Sequence, residues 1–141
     1  MKRVCVVCIA LFILAAGSSA QNLLDSKFLQ GAAAVPPIER DAYISKYINS
    51  VVSGEARLLS FDKAARYGKN IRLILRDVEA DSFGISIIYN VFVGDGNIVE
   101  ILVTGDKLRF KGKLASVTPA NTGRTIYIAD IIADNDNLNK Q

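Results

Sequence analysis

Four basic residues, Lys107, Arg109, Lys111 and Lys113, stand at alternate positions of one segment and form the patterned charge cluster of this 141-residue chain. On an extended strand they share one face at intervals of about 7 Å, close to phosphate spacing along an extended nucleic-acid single strand. Tyr67, Tyr89 and Tyr127 would supply stacking rings if they joined that surface, and Tyr127 completes a candidate ligand-binding set with the four cations. The competing reading is a solvated outer face whose lysines keep a strand edge from pairing with other chains.

Other residues that could do chemistry are thinly spread. Ser60-Phe61-Asp62-Lys63 has the Ser-x-x-Lys spacing of serine acyl-transfer enzymes, but those enzymes place the serine at a helix start, whereas this one falls at a strand end. Glu79 and Asp81 would need a deep cleft to split their pKa values for acid/base work, and both lie in a turn-like stretch, 79–84. Asp134-Asn135-Asp136-Asn137 opens like a calcium loop without the glycine and closing glutamate. Gly94 and Gly96 lack the lysine and helix that a phosphate-cradling loop requires. The chain has no histidine and no tryptophan, and its two cysteines are Cys5 and Cys8. We therefore expect no enzyme, no catalytic residue, no metal site and no cofactor.

Both cysteines fall in a segment that reads as a cleavable export signal. Lys2 and Arg3 precede the apolar run Val4–Ala16, and Gly17-Ser18-Ser19-Ala20 supplies the small residues before a cut after Ala20. Thirteen apolar residues are too few for a bilayer core, which takes about 20. The expected location is thus periplasmic or secreted, with no stable membrane span after cleavage. The whole chain has 17 Lys plus Arg against 14 Asp plus Glu; without Lys2 and Arg3 the balance is 15 against 14, or +1. Near-neutral charge disfavours nucleic acid as the partner.

These candidates need elements to position them. Residues 21–37 read as a flexible linker, and Pro37, Glu39 and the stripe Ile44, Tyr47, Ile48 and Val51 predict one amphipathic helix over 38–53. After Gly54 the period falls to 2. Strands are expected at 57–61, 71–76, 85–93, 98–103, 107–114 and 125–132, with a long link from Asp62 to Asn70 and a mobile polar tail over 134–141. Ile44, Ile48, Leu73, Leu75, Leu108 and Phe110 are the expected core. One domain, 38–133, is implied. Its fold class is mainly β: a five- to six-stranded antiparallel barrel or curled sheet preceded by one helix.

The run Gly105-Asp106-Lys107-Leu108-Arg109-Phe110-Lys111-Gly112-Lys113-Leu114, followed by Ile126-Tyr127-Ile128-Ala129-Asp130, resembles the closing half of an oligonucleotide/oligosaccharide-binding (OB) barrel. It is similar in particular to exported bacterial proteins of this fold, the periplasmic stress-associated group or the tRNA-anticodon-domain-like group. The resemblance lies at the level of fold and transfers no functional residue. It implies a noncatalytic exported binding or adaptor module, with an envelope protein or a saccharide as partner. Single-stranded nucleic-acid binding through the basic strand, and a structural or protein-interaction role in the envelope, are the alternatives.

Overall fold

A computed structural model of the chain describes residues 22–120 and 126–141. The expected signal, 1–20, lies outside the described residues, as does part of the expected loop 118–123. In chain order the elements are β1 (Asn22–Leu23), α1 (Ser26–Ala34), α2 (Pro37–Ser45), β2 (Val51–Arg66), β3 (Lys69–Arg76), α3 (Val78–Ser82), β4 (Ser86–Val93), α4 (Asn97–Glu100), β5 (Lys107–Pro119), β6 (Ile126–Ile132) and, after a short 3-10 turn, β7 (Leu138–Lys140).

The sheet curls on itself. β2 pairs with β3, β3 with β4, β4 with β6 and β6 with β5, while β5 returns to pair with the first half of β2. β1 and β7 are added at the margins. The strands are therefore mainly antiparallel, as expected, but β1–β2 and β4–β6 run parallel and make the sheet mixed. The arrangement is OB-like, a small curled sheet of short connections with one core. Its interior holds Leu58, Leu73, Leu75, Tyr89, Leu108, Phe110 and Ile131, all at most 1% exposed.

β5 shows why alternation is a dependable signal: Leu108, Phe110 and Leu114 are buried, while Lys107, Arg109 and Lys113 are exposed. Gly112 lies where the sheet closes. A Cβ there would fall 2.3 Å from the Ile132 carbonyl oxygen, so only glycine lets β5 and β6 approach this closely.

Several expected elements are replaced. The linker over 21–37 is in large part helix α1, N-capped by Asp25, whose side chain accepts from the Phe28 N–H at 3.1 Å. Leu29 and Ala32 are fully buried in it, and the helix forms because alanines are good helix formers even where they blur the apolar stripe. The domain therefore begins before residue 38. Helix α2 stops at Ser45 rather than 53: Asn49 adopts φ 71°, and Val51 onward pairs with β5. Sheet pairing overrides the helical stripe there. Arg40 of α2, 7% exposed, donates through Nε to the Ala32 carbonyl at 2.9 Å and so ties α2 to the end of α1.

The expected long link between the first two strands is a two-residue turn. Tyr67 and Gly68 take φ 55° and 73°, the left-handed pair of a type I′ hairpin, and both strands extend to meet it. The expected strand over 98–103 is helix α4 and a turn, with Ile98 and Val99 packed on the core and Ile101 and Val103 exposed. Residues 79–84 begin as helix α3. The polar tail is ordered as well: Leu138 is 3% exposed and pairs with Phe110, because one leucine among polar neighbours suffices to anchor a short strand.

Candidate functional site

The second half of β2 pairs with β3, while its first half pairs with β5 on one edge and with β1 on the other. β1 reaches only Ser53 and β3 begins only at Arg57. The interval between them is the floor of a cleft of about 540 Å³. Leu24 and Asp25 bound it at one end, and Asp77, Val78 and Glu79 at the other; Lys107 and Arg109 rise from β5 beside it. The hydroxyl of Ser26 donates to Glu79 and bridges the two ends.

The local chemistry of each wall is legible once the elements are known. Asp77 N-caps α3, accepting from the Glu79 and Ala80 N–H groups at 3.1 Å each, and its second oxygen accepts from the Tyr89 hydroxyl at 2.7 Å. Burial pushes the Asp77 carboxyl above the usual carboxylate range, against the lowering effect of those three donors. Burial also raises the hydroxyl of Tyr89 well above its ordinary value. On the opposite wall Glu55 takes Lys107 at 2.5 Å and Arg109 at 3.3 Å. The bond from Lys107, with Arg109 behind it, holds the Glu55 carboxyl below its ordinary value.

The five residues predicted as a site do not stay together. Lys107 and Arg109 line the cleft, and both pair with Glu55, whose single charge offsets one of their two. Lys111 and Lys113 continue along β5 opposite Ser53 and Val51, without ion pairs among the described residues. Tyr127 is fully buried and offers no stacking face, since it pairs with Ile87 on the inner side of the sheet, beside Arg40 and Asp41 of α2. Tyr89 is likewise in the core, and Tyr67 spends its ring edge on Phe92 and its hydroxyl on Asp130. Asp130 also takes Arg66 at 3.0 Å and Asn90 at 3.1 Å, a network that pins the β2–β3 hairpin to β6.

The Ser-x-x-Lys pair is split by the strand period. Ser60 stands opposite Ile74 and Lys63 opposite Ile71, on opposite faces of β2. Glu79 and Asp81 also part company, because Asp81 pairs with Arg76 at 3.0 Å. Among the described residues no cluster of three potential metal ligands exists. The residues missed by sequence reasoning are Asp25, Glu55, Arg57 and Asp77. Asp25 and Asp77 carried a readable signal, an aspartate two or three residues before helix-compatible amides.

No family model matches the chain, and no curated protein matches it. Among solved structures it is similar to a proposed nucleic acid-binding lipoprotein from Klebsiella pneumoniae, at 17% identity and a TM-score of 0.48 over 87% of this chain and 93% of that one. It is also similar to a proposed aspartyl-tRNA synthetase from Leishmania major, at 12% identity and a TM-score of 0.43, over 89% of this chain but only 22% of the synthetase. At these identities nothing about a ligand passes from either protein to this one.

Proposed function

We propose that the chain is a noncatalytic, exported binding module that holds a small polar ligand in the cleft between β1, β2, α3 and the start of β5. The observation that supports this reading is the cleft itself: about 540 Å³, floored by strand backbone, bounded by carboxylates at both ends and flanked by Glu55 with Lys107 and Arg109. A site of this size with few, fixed polar groups suits recognition of a small molecule or a short chain. Its charged groups are already committed to hydrogen bonds or ion pairs, which favours orienting a ligand over driving a reaction. The basic strand is a weaker basis for function, because its first two members are engaged by Glu55 and its last two stand outside the cleft lining.

A thermal-shift screen of the folded protein against oligosaccharides, short peptides and single-stranded DNA, at low and moderate salt, tests this reading. A ligand at about 100 times its Kd adds about 2.7 kcal/mol to folded-state stability. We expect that gain in the native chain and its loss in Ser53→Phe, which fills the cleft from β2. A ligand that stabilises both equally binds elsewhere and refutes the cleft. A turnover abolished by a single carboxylate substitution refutes the noncatalytic reading.

A further inference from the structure

The floor of the cleft is an interrupted sheet edge. Along β2 the main-chain groups of even-numbered residues point to β5: the Ser50 carbonyl accepts from Leu114 at 3.0 Å, and Leu58 exchanges bonds with Gly105 and Asp106 at 2.8 Å each. Odd-numbered residues must then point the other way, as the Ser53 carbonyl does in accepting from Leu24 at 2.9 Å. Ser53 is satisfied by the β1 segment and Arg57 pairs with Arg76 of β3. Glu55 lies between them. Among the described residues its only pairing is with Arg109, on the edge to which its own N–H and C=O do not point, so that both groups must face the cleft that Glu55 lines.

We infer that this gap takes a short, extended peptide carrying a basic group, which completes the edge by exchanging N–H···O=C bonds with Glu55. The inference rests on the cleft reading above and names its ligand class. One amino-acid residue, with its own N–H and C=O, satisfies both Glu55 groups in the antiparallel manner, whereas an isolated amide satisfies one. The span from Ser53 to Arg57 is about 13 Å at strand rise, which admits two or three extended residues. Charge chooses among peptides. Lys107 and Arg109 share the single charge of Glu55, while Asp25 and Glu79 have no cationic partner among the described residues. Arg57 donates to the Gly105 carbonyl at 3.1 Å. Four carboxylates, Asp25, Glu55, Asp77 and Glu79, thus line the cleft against three cations, Arg57, Lys107 and Arg109, and its formal balance is −1.

Amide-resolved NMR of the full chain tests this, with N-acetyl-Ala-Lys-Ala-amide as the probe. We expect saturable shifts confined to Ser53–Arg57 and Asp77–Glu79, with the Glu55 N–H moving as a newly hydrogen-bonded group. Methylating the central amide nitrogen of the probe should weaken binding about fivefold, the cost of one net hydrogen bond. Asp25→Asn combined with Glu79→Gln, which keeps the cap and the Ser26 bond, should weaken it about tenfold and flatten its salt dependence. Equal binding of N-acetyl-Ala-Glu-Ala-amide or of the methylated probe overturns the inference. An N-acetylglucosamine dimer that shifts the same amides when the peptide does not also overturns it, while the cleft reading survives. No shift at these amides from peptide, saccharide or DNA overturns both.

Discussion

Removing the hydroxyl of Tyr89 should make the stability of this protein depend on pH in a defined direction. Asp77 is 2% exposed and Tyr89 is 1% exposed, so water cannot replace the 2.7 Å bond between them. In Tyr89→Phe the ring and its packing on Phe110 persist, and the loss is one donor to a buried carboxylate. A hydrogen bond to a charged group is worth about 1.5–3 kcal/mol, so we expect a loss of about 2 kcal/mol near neutral pH. At about 0.25 kcal/mol per kelvin of unfolding entropy for a chain of ~120 residues, that corresponds to a Tm lower by about 8 °C.

The sign with pH follows from burial. The folded-state pKa of Asp77 is raised above its unfolded value, so the stability this group contributes is present below the unfolded pKa and is lost as pH rises through the folded pKa. The Tyr89 bond opposes that rise, and the variant must have a still higher folded pKa. The gap between native chain and variant therefore widens as pH increases from the ordinary carboxylate range toward neutrality, and it narrows in acid. Asp62 and Asp106 titrate in the opposite sense: Arg72 holds one below its ordinary value, and the Val103 N–H holds the other. Both are common to the two proteins and cancel in the difference. Urea unfolding at about pH 4 and pH 7 measures the gap. A loss below about 0.5 kcal/mol, or an equal loss at both pH values, would show that Asp77 does not depend on Tyr89.

Two further substitutions test the packing that shapes the cleft. Gly112→Ala places a methyl 2.3 Å from the Ile132 carbonyl oxygen and 2.9 Å from Ile131, so β5 and β6 must part; we expect about 3 kcal/mol of destabilisation in urea unfolding, and a loss under about 1 kcal/mol would mean that the closure yields easily. Leu138→Ala should cost about 2 kcal/mol and raise hydrogen exchange at Phe110 and Arg109, since a buried leucine anchors β7 to β5; unchanged exchange would restore the mobile tail.

Elements whose own residues carry a strong period were legible in the chain. β5 and β4 were found because alternation over seven or more residues admits only a strand, and four of the six expected core residues are at most 1% exposed: Leu73, Leu75, Leu108 and Phe110. Segments with short or diluted apolar content misled. Ile98-Val99-Glu100-Ile101 carries β-branched residues, yet it follows Gly96 just past the end of β4, where one turn of helix packs two of them on the core and leaves the strand pairing to others. The α1 segment reads as a linker because Gly31 and three alanines dilute its stripe, although Gly31 makes room for α2: a Cβ there would fall 2.1 Å from the Tyr43 hydroxyl.

The candidate site was illegible for a different reason. It is assembled from residues 24–25, 53–57, 77–79 and 107–109, which meet only because β2 is long enough to pair with three different strands along its length. Local periodicity locates strands but does not say where one partner stops and the next begins, and the gap at Glu55 is such a boundary. The lysine strip shows the same limit from the other side. Its spacing was read correctly, yet its charge environment could not be, because the carboxylate that pairs with its first two members lies about 50 residues earlier on a neighbouring strand. A cation ladder on one strand predicts an anion-binding face only after its cross-strand partners are known, and here the partner is the residue whose backbone floors the cleft.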